Sequence, residues 1–80
     1  MITTKEALMA FIADNAGVNV NIKEEDELMN EVGLDDLDMI ELVMALEEEF
    51  IIEISDEDAD KFKTGKDIID YLSTKNINLV

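Results

Sequence analysis

The stretch Gly33 to Phe50, GLDDLDMIELVMALEEEF, constrains this chain more than any other. Asp35 is placed to cap a helix beginning at Asp36, because its carboxylate can accept the free backbone N–H groups of the first turn. Asp36 and Asp38 then stand where the helix dipole favours negative charge. At about 100° per residue, Met39, Leu42, Val43, Leu46 and Phe50 form one apolar stripe that should face a core. The other side carries a second apolar row, Leu37, Ile40 and Met44, set among Glu41, Glu47 and Glu48. A helix that only needed a core would not need that row. Either these residues tuck under a neighbouring loop, or they form a contact surface for a basic partner with an apolar centre.

The flanking segments supply the rest of the core. Thr3 and Glu6 have capping-box spacing, and Ala7, Leu8, Phe11 and Ile12 follow at helical spacing until Gly17 stops the run, so a first helix is expected over roughly Thr4 to Ala16. Val18, Val20 and Ile22 alternate with polar residues as a strand would, but no second strand is evident to pair with them. An extended segment across the bundle is the expectation. Leu28, Met29 and Val32 should anchor the long loop, and Gly33 permits the turn into the second helix. Ile51, Ile52 and Ile54 read as a buried connection. Ser55 should cap a brief helix of about Asp56 to Phe62, and Thr64 with Asp67 a weaker-capped one of about Gly65 to Thr74, with Ile68, Ile69 and Leu72 inward. Tyr71 should be half buried with its hydroxyl in water. The tail residues Ile77, Leu79 and Val80 are either docked or frayed. The expected fold is all-α, a small irregular four-helix bundle with a long first loop and a short third helix.

Charge and composition exclude several function classes. The 80 residues make one small domain, with six lysines, no arginine and a net charge of −15. Nucleic acid and anionic membranes would repel such a surface, whereas basic protein partners would be drawn to it. Without cysteine or histidine there is no thiolate nucleophile, no histidine base and no ordinary zinc site. No apolar run is long enough to span a bilayer and no signal peptide is visible, so the cytoplasm is the expected compartment; the chain is expected to be a monomer. Paired carboxylates such as Asp35/Asp36 lie in an acidic surface rather than a concave site that would separate their pKa values, so no enzyme is expected. Asp56, Asp58, Asp60, Phe62, Thr64 and Asp67 fall at calcium-loop offsets, but Lys61 replaces the turn-making glycine and Asp67 the longer glutamate. No specific metal site is expected, only loose divalent attraction.

In its length and in the order GLDDLDMIELVMALEEEF, ISDEDADKF, DIIDYL, the chain resembles the acyl carrier proteins of type II fatty acid synthesis. The resemblance covers nearly the whole chain and is strongest over Glu31 to Leu72. It implies an acyl-carrier-like bundle whose second helix docks on basic patches of fatty-acid synthesis enzymes and of phosphopantetheinyl transferase. Asp35, Leu37, Asp38, Ile40, Glu41, Met44, Glu47 and Glu48 are the partner-binding residues this implies. Leu42, Leu46, Phe50, Ile54, Ile68 and Leu72 are the implied core and acyl pocket. The family's motif is Asp-Ser-Leu, with 4′-phosphopantetheine esterified to the serine; here it reads Asp35-Asp36-Leu37. A serine hydroxyl on phosphorus gives a stable phosphodiester, whereas a carboxylate would give an acyl phosphate that water cleaves readily. As written, the chain should hold no phosphopantetheine. Gly65 also departs, standing where the family has a β-branched residue, which should loosen the start of the fourth helix and the mouth of the pocket. Three readings stay open: a natural relative that docks without carrying, an ordinary carrier with an engineered serine-to-aspartate change at position 36, and a structural or regulatory module retaining only the fold.

Overall fold

The computed structural model describes residues 1–80. Four helices follow in order: α1 Lys5–Ala16, α2 Asp36–Phe50, α3 Asp56–Ala59 and α4 Gly65–Thr74. Each begins on a side chain that accepts a first-turn N–H, namely Thr4, Asp35, Ser55 and Thr64. The cap of α1 is thus Thr4, whose Oγ1 accepts from Ala7 at 3.0 Å, and not Thr3. The Thr64–Asp67 cap is stronger than the sequence suggests. It is a full capping box, and the Asp67 carboxylate also accepts from the Lys63 N–H at 2.9 Å. α3 stops at Ala59, before Phe62, and buries no residue of its own.

One core joins all the elements. Leu8, Ile12, Leu28, Leu42, Leu46, Ile68 and Leu72 are essentially sealed from water, and α1 packs against α2. Leu34, at the turn into α2, is also buried. Phe50, at the end of the predicted stripe, is only partly covered. No polar side chain belongs to the buried set. Of the alternating segment, Ile22 is buried, Val18 half-buried and Val20 exposed. No strand forms; one isolated bridge, Glu27 to Thr64, fixes the loop.

The long loop is tied to the start of α4. Leu28 donates to the Lys63 carbonyl and Lys66 donates to the Glu24 carbonyl, each at 2.9 Å. Leu28 is thereby driven into the core, while Met29, expected beside it, is exposed. Gly65 is buried at this junction. A Cβ there would meet Met9 Sδ at 2.5 Å and Cε at 2.8 Å. Met9 therefore fills the space that a β-branched residue would take, and the start of α4 is packed there rather than open. The C-terminal tail is docked: Val80 donates to Thr3 at 3.1 Å and Lys5 donates to Val80 at 3.0 Å.

Three helices end with the same backbone device. A left-handed residue is followed by a partly buried apolar residue whose N–H reaches back five residues: Val18 to Ala13, Ile52 to Glu47 and Ile77 to Leu72. The left-handed residues are Gly17, Ile51 and Asn76. Glycine and asparagine are the residues this turn favours, and isoleucine is not. Ile51 is therefore no part of a buried connection. It is 88% exposed, while Ile52 and Ile54 on either side of Glu53 turn inward.

Candidate functional site

Asp36 is the first residue of α2, exposed, and free of the capping box formed around it. In that box Asp35 Oδ1 accepts from Asp38 at 2.8 Å, and Asp38 Oδ2 accepts from Asp35 at 3.0 Å. Two of the three aspartates at the helix start are thus engaged with backbone, leaving Asp36 to face outward. It stands on the edge of a groove of about 890 Å³ between α2, α3 and the long loop. Met39, Ile40, Val43 and Met44 form the α2 wall, with Ile54 and Phe62 opposite. Glu27, Asp36, Glu47, Asp56 and Asp60 supply carboxylates around it, with Lys63 the one cation.

The second apolar row of α2 is open to water: Leu37 is 61%, Ile40 58% and Met44 57% exposed. No loop folds over it. Glu41 and Glu48 beside the row are exposed, but Glu47 is not a free rim charge. Its Oε2 accepts from the Ile54 N–H at 2.9 Å and so holds the α2–α3 connection. Of the residues expected to form core and pocket, Leu42, Leu46, Ile68 and Leu72 are sealed in the core, and Ile54 reaches the groove. The groove walls were instead illegible from spacing. Met39 and Val43 look like core residues on a helical wheel, and Met29 and Phe62 meet them only through tertiary placement.

No serine, threonine or tyrosine lines the groove. The hydroxyls close in sequence are committed elsewhere: Ser55 Oγ accepts from Asp58 at 3.1 Å and Thr64 Oγ1 from Asp67 at 3.2 Å. The Tyr71 hydroxyl is not in water as expected. It is buried without a hydrogen-bond partner, under a ring that packs edge-on against Phe62 at 5.3 Å. Burial first, then the carboxylates of Asp58 and Glu47, push its pKa above the ordinary 10.0. The calcium-loop offsets do not form a cage, since Thr64 and Asp67 cap α4 and no three carboxylates converge on a metal position. No helix is long and apolar enough to cross a membrane.

Residues 6–72 match the family described as "Phosphopantetheine attachment site". An acyl carrier protein of Helicobacter hepaticus is 44% identical over 70 residues, covering 86% of this chain and 92% of that protein. A solved Mycobacterium tuberculosis structure, described as "a putative acyl carrier protein", superposes with a TM-score of 0.81 at 31% identity, covering 89% of this chain and 96% of that one. Taken with the four-helix order and the exposed start of α2, these matches show that the chain belongs to the acyl carrier protein family, whose members are carriers rather than enzymes.

Proposed function

We propose that this chain is a single-domain, monomeric carrier-protein relative of cytoplasmic fatty acid synthesis that docks on basic surfaces of partner enzymes through α2 and holds no phosphopantetheine arm at position 36. The observation that carries this reading is the α2 start: an exposed carboxylate at the attachment position, beside an uncovered apolar row. A carboxylate does not fit the arm as a covalent group, because the mixed anhydride it would form is hydrolysed. The groove offers no other hydroxyl to replace it. A fold-only module has no need of Leu37, Ile40 and Met44 in water, since burying such side chains is worth about 1.5–3 kcal/mol each.

Docking would divide into steering and holding. Asp36, Glu41 and Glu48 attract a basic patch and set the on-rate and its salt dependence. Leu37, Ile40 and Met44 lose water on contact and set the off-rate. Asp36 also supplies one negative charge where a loaded relative has a singly negative phosphodiester. The chain can thus occupy a docking site while offering no thiol.

Incubation with coenzyme A and a phosphopantetheinyl transferase should leave the mass of the protein unchanged, while Asp36→Ser should gain the arm. A stable mass gain on the parent chain would sink the reading. Docking has its own test. Glu41→Lys should weaken binding to a fatty-acid synthesis enzyme and flatten its salt dependence, Met44→Ala should weaken it at unchanged salt slope, and the exposed loop change Glu25→Lys should do little. Equal losses for all three would mean bulk charge attraction and no α2 site.

A further inference from the structure

The oddest residue in the molecule is Ile51. Of the three helix ends built on a left-handed residue, α1 uses Gly17 and α4 ends with Asn76, while α2 uses a β-branched isoleucine at φ 55°. Side chains branched at Cβ are strained in that conformation. A strained residue ordinarily persists where its surroundings hold it in place, but the Ile51 side chain is 88% exposed, the most exposed apolar side chain away from the chain's first residue. The fold's apolar contact at this turn is made by Ile52 instead. Nothing within the chain accounts for an isoleucine here.

Its surroundings indicate what would cover it. Residues 37, 44 and 51 are two helical turns apart, so the Cα of Ile51 continues the line of Leu37 and Met44. The α2 C-terminus carries the negative end of the helix dipole, and its last turn adds Glu47, Glu48 and Glu49 with no basic residue. Two of these carboxylates are engaged by N–H groups: Glu47 by Ile54, and Glu49 by Ile2 at 3.2 Å. Glu48 and Glu53 remain exposed on either side of Ile51. The six lysines lie at positions 5, 23, 61, 63, 66 and 75, none in this turn. A second copy of the chain, itself at −15, is a poor occupant.

We infer that Ile51 is a second docking anchor at the far end of α2, fitting an apolar socket on a partner protein flanked by lysine or arginine side chains that pair with Glu48 and Glu53. This rests on the docking reading of α2 and extends it. The anchor stands about 22 Å from Asp36 along the helix, so its contact does not depend on anything attached at position 36. A relative that carries no arm forgoes whatever hold an arm would supply inside a partner enzyme. An added apolar anchor beyond Met44 offsets that loss and discriminates between partners that have the socket and partners that lack it.

Ile51→Gly removes the side chain and suits the backbone, so misfolding does not confound the test. Purified type II fatty-acid synthesis enzymes and a phosphopantetheinyl transferase are immobilised in turn, and binding is measured at two salt concentrations, with thermal melts and sedimentation of each variant alongside. The expected result is a melting temperature equal to or above the parent's. Affinity for at least one enzyme should fall about tenfold, equivalent to about 1.4 kcal/mol, with the salt slope kept. Glu48→Lys with Glu53→Lys should weaken the same complex and flatten its slope. Unchanged affinity of Ile51→Gly for every enzyme that Met44→Ala weakens would overturn the anchor while leaving the α2 reading intact. Loss in Ile51→Gly without loss in Met44→Ala or Glu41→Lys would keep the anchor and overturn the α2 site as drawn. Binding of the parent to none of the enzymes, or a dimer that Ile51→Gly dissolves, would overturn the inference.

Discussion

At residue 36 the side chain faces solvent and the fold makes no demand on it. Aspartate is accommodated at the start of α2 because it is exposed and the dipole favours its charge. Tyr71 shows the opposite balance, with a polar group kept dry in the fold. Its hydroxyl is desolvated with no close hydrogen bond in return, the Asp58 carboxylate standing near it without direct contact. Tyr71→Phe should therefore be neutral or stabilising by about 1 kcal/mol in urea unfolding, and a loss of that size would reveal a partner for the hydroxyl. The pH dependence has a definite sign. The phenol's folded pKa lies above 10.0, so the native state favours the neutral ring. That preference is fully present below the unfolded pKa and disappears as pH rises through the folded one. The parent should lose stability relative to Tyr71→Phe above pH about 10, a difference that cancels the lysines common to both.

Among the elements, α4 depends most on what lies outside it. Its capping box is local, but its start is also clasped by the Glu24 carbonyl and by Met9 across the Gly65 notch. Gly65→Val should place methyl groups where Met9 Sδ and Cε now sit, at a cost of about 1–3 kcal/mol, toward the low end because a methionine tip can swing aside. Met9→Ala should cost stability alone, yet the double variant should lose less than the sum of the two. Additive losses in denaturant melts would mean that Met9 does not occupy the notch. The groove wall on α2 is unaffected by either change, because Met9 and Gly65 are not among its lining residues.

Over the whole molecule, charge is poorly neutralised. The one ion pair is Lys66–Asp70 at 2.9 Å, exposed on α4, and exposed pairs of this kind contribute little. With −15 spread over a radius of gyration of 11.3 Å, repulsion should be strongest at low salt. Raising ionic strength from about 0.01 M to about 0.15 M shortens the screening length from about 30 Å to about 8 Å. The melting temperature should rise over that range, and millimolar magnesium should raise it further through loose association with carboxylates. A melting temperature insensitive to both would show that the acidic surface is already balanced within the fold. The same charge underlies the proposed preference for basic partners, so stability and docking should respond to salt in opposite directions.

By itself, the sequence determined the helices, because caps and stripes act within a few residues of one another. Asp35, Ser55 and Thr64 are legible as caps, and the error of one place at Thr3 arose because two adjacent threonines present the same side chain. The family and the uncovered-row alternative on α2 were legible for the same local reason. Only the tertiary structure decided that the row is in fact open, since that depends on where a distant loop runs. Leu28 is pulled inward and Met29 left outside by hydrogen bonds to residues beyond position 60, a separation no periodicity encodes. The docked tail likewise depends on Val80 meeting Thr3 and Lys5 at the opposite end of the chain. Ile51 reads as core in an apolar stretch with Phe50, Ile52 and, past Glu53, Ile54. One left-handed residue turns it to water and its neighbour inward, a backbone choice that hydrophobicity alone does not express.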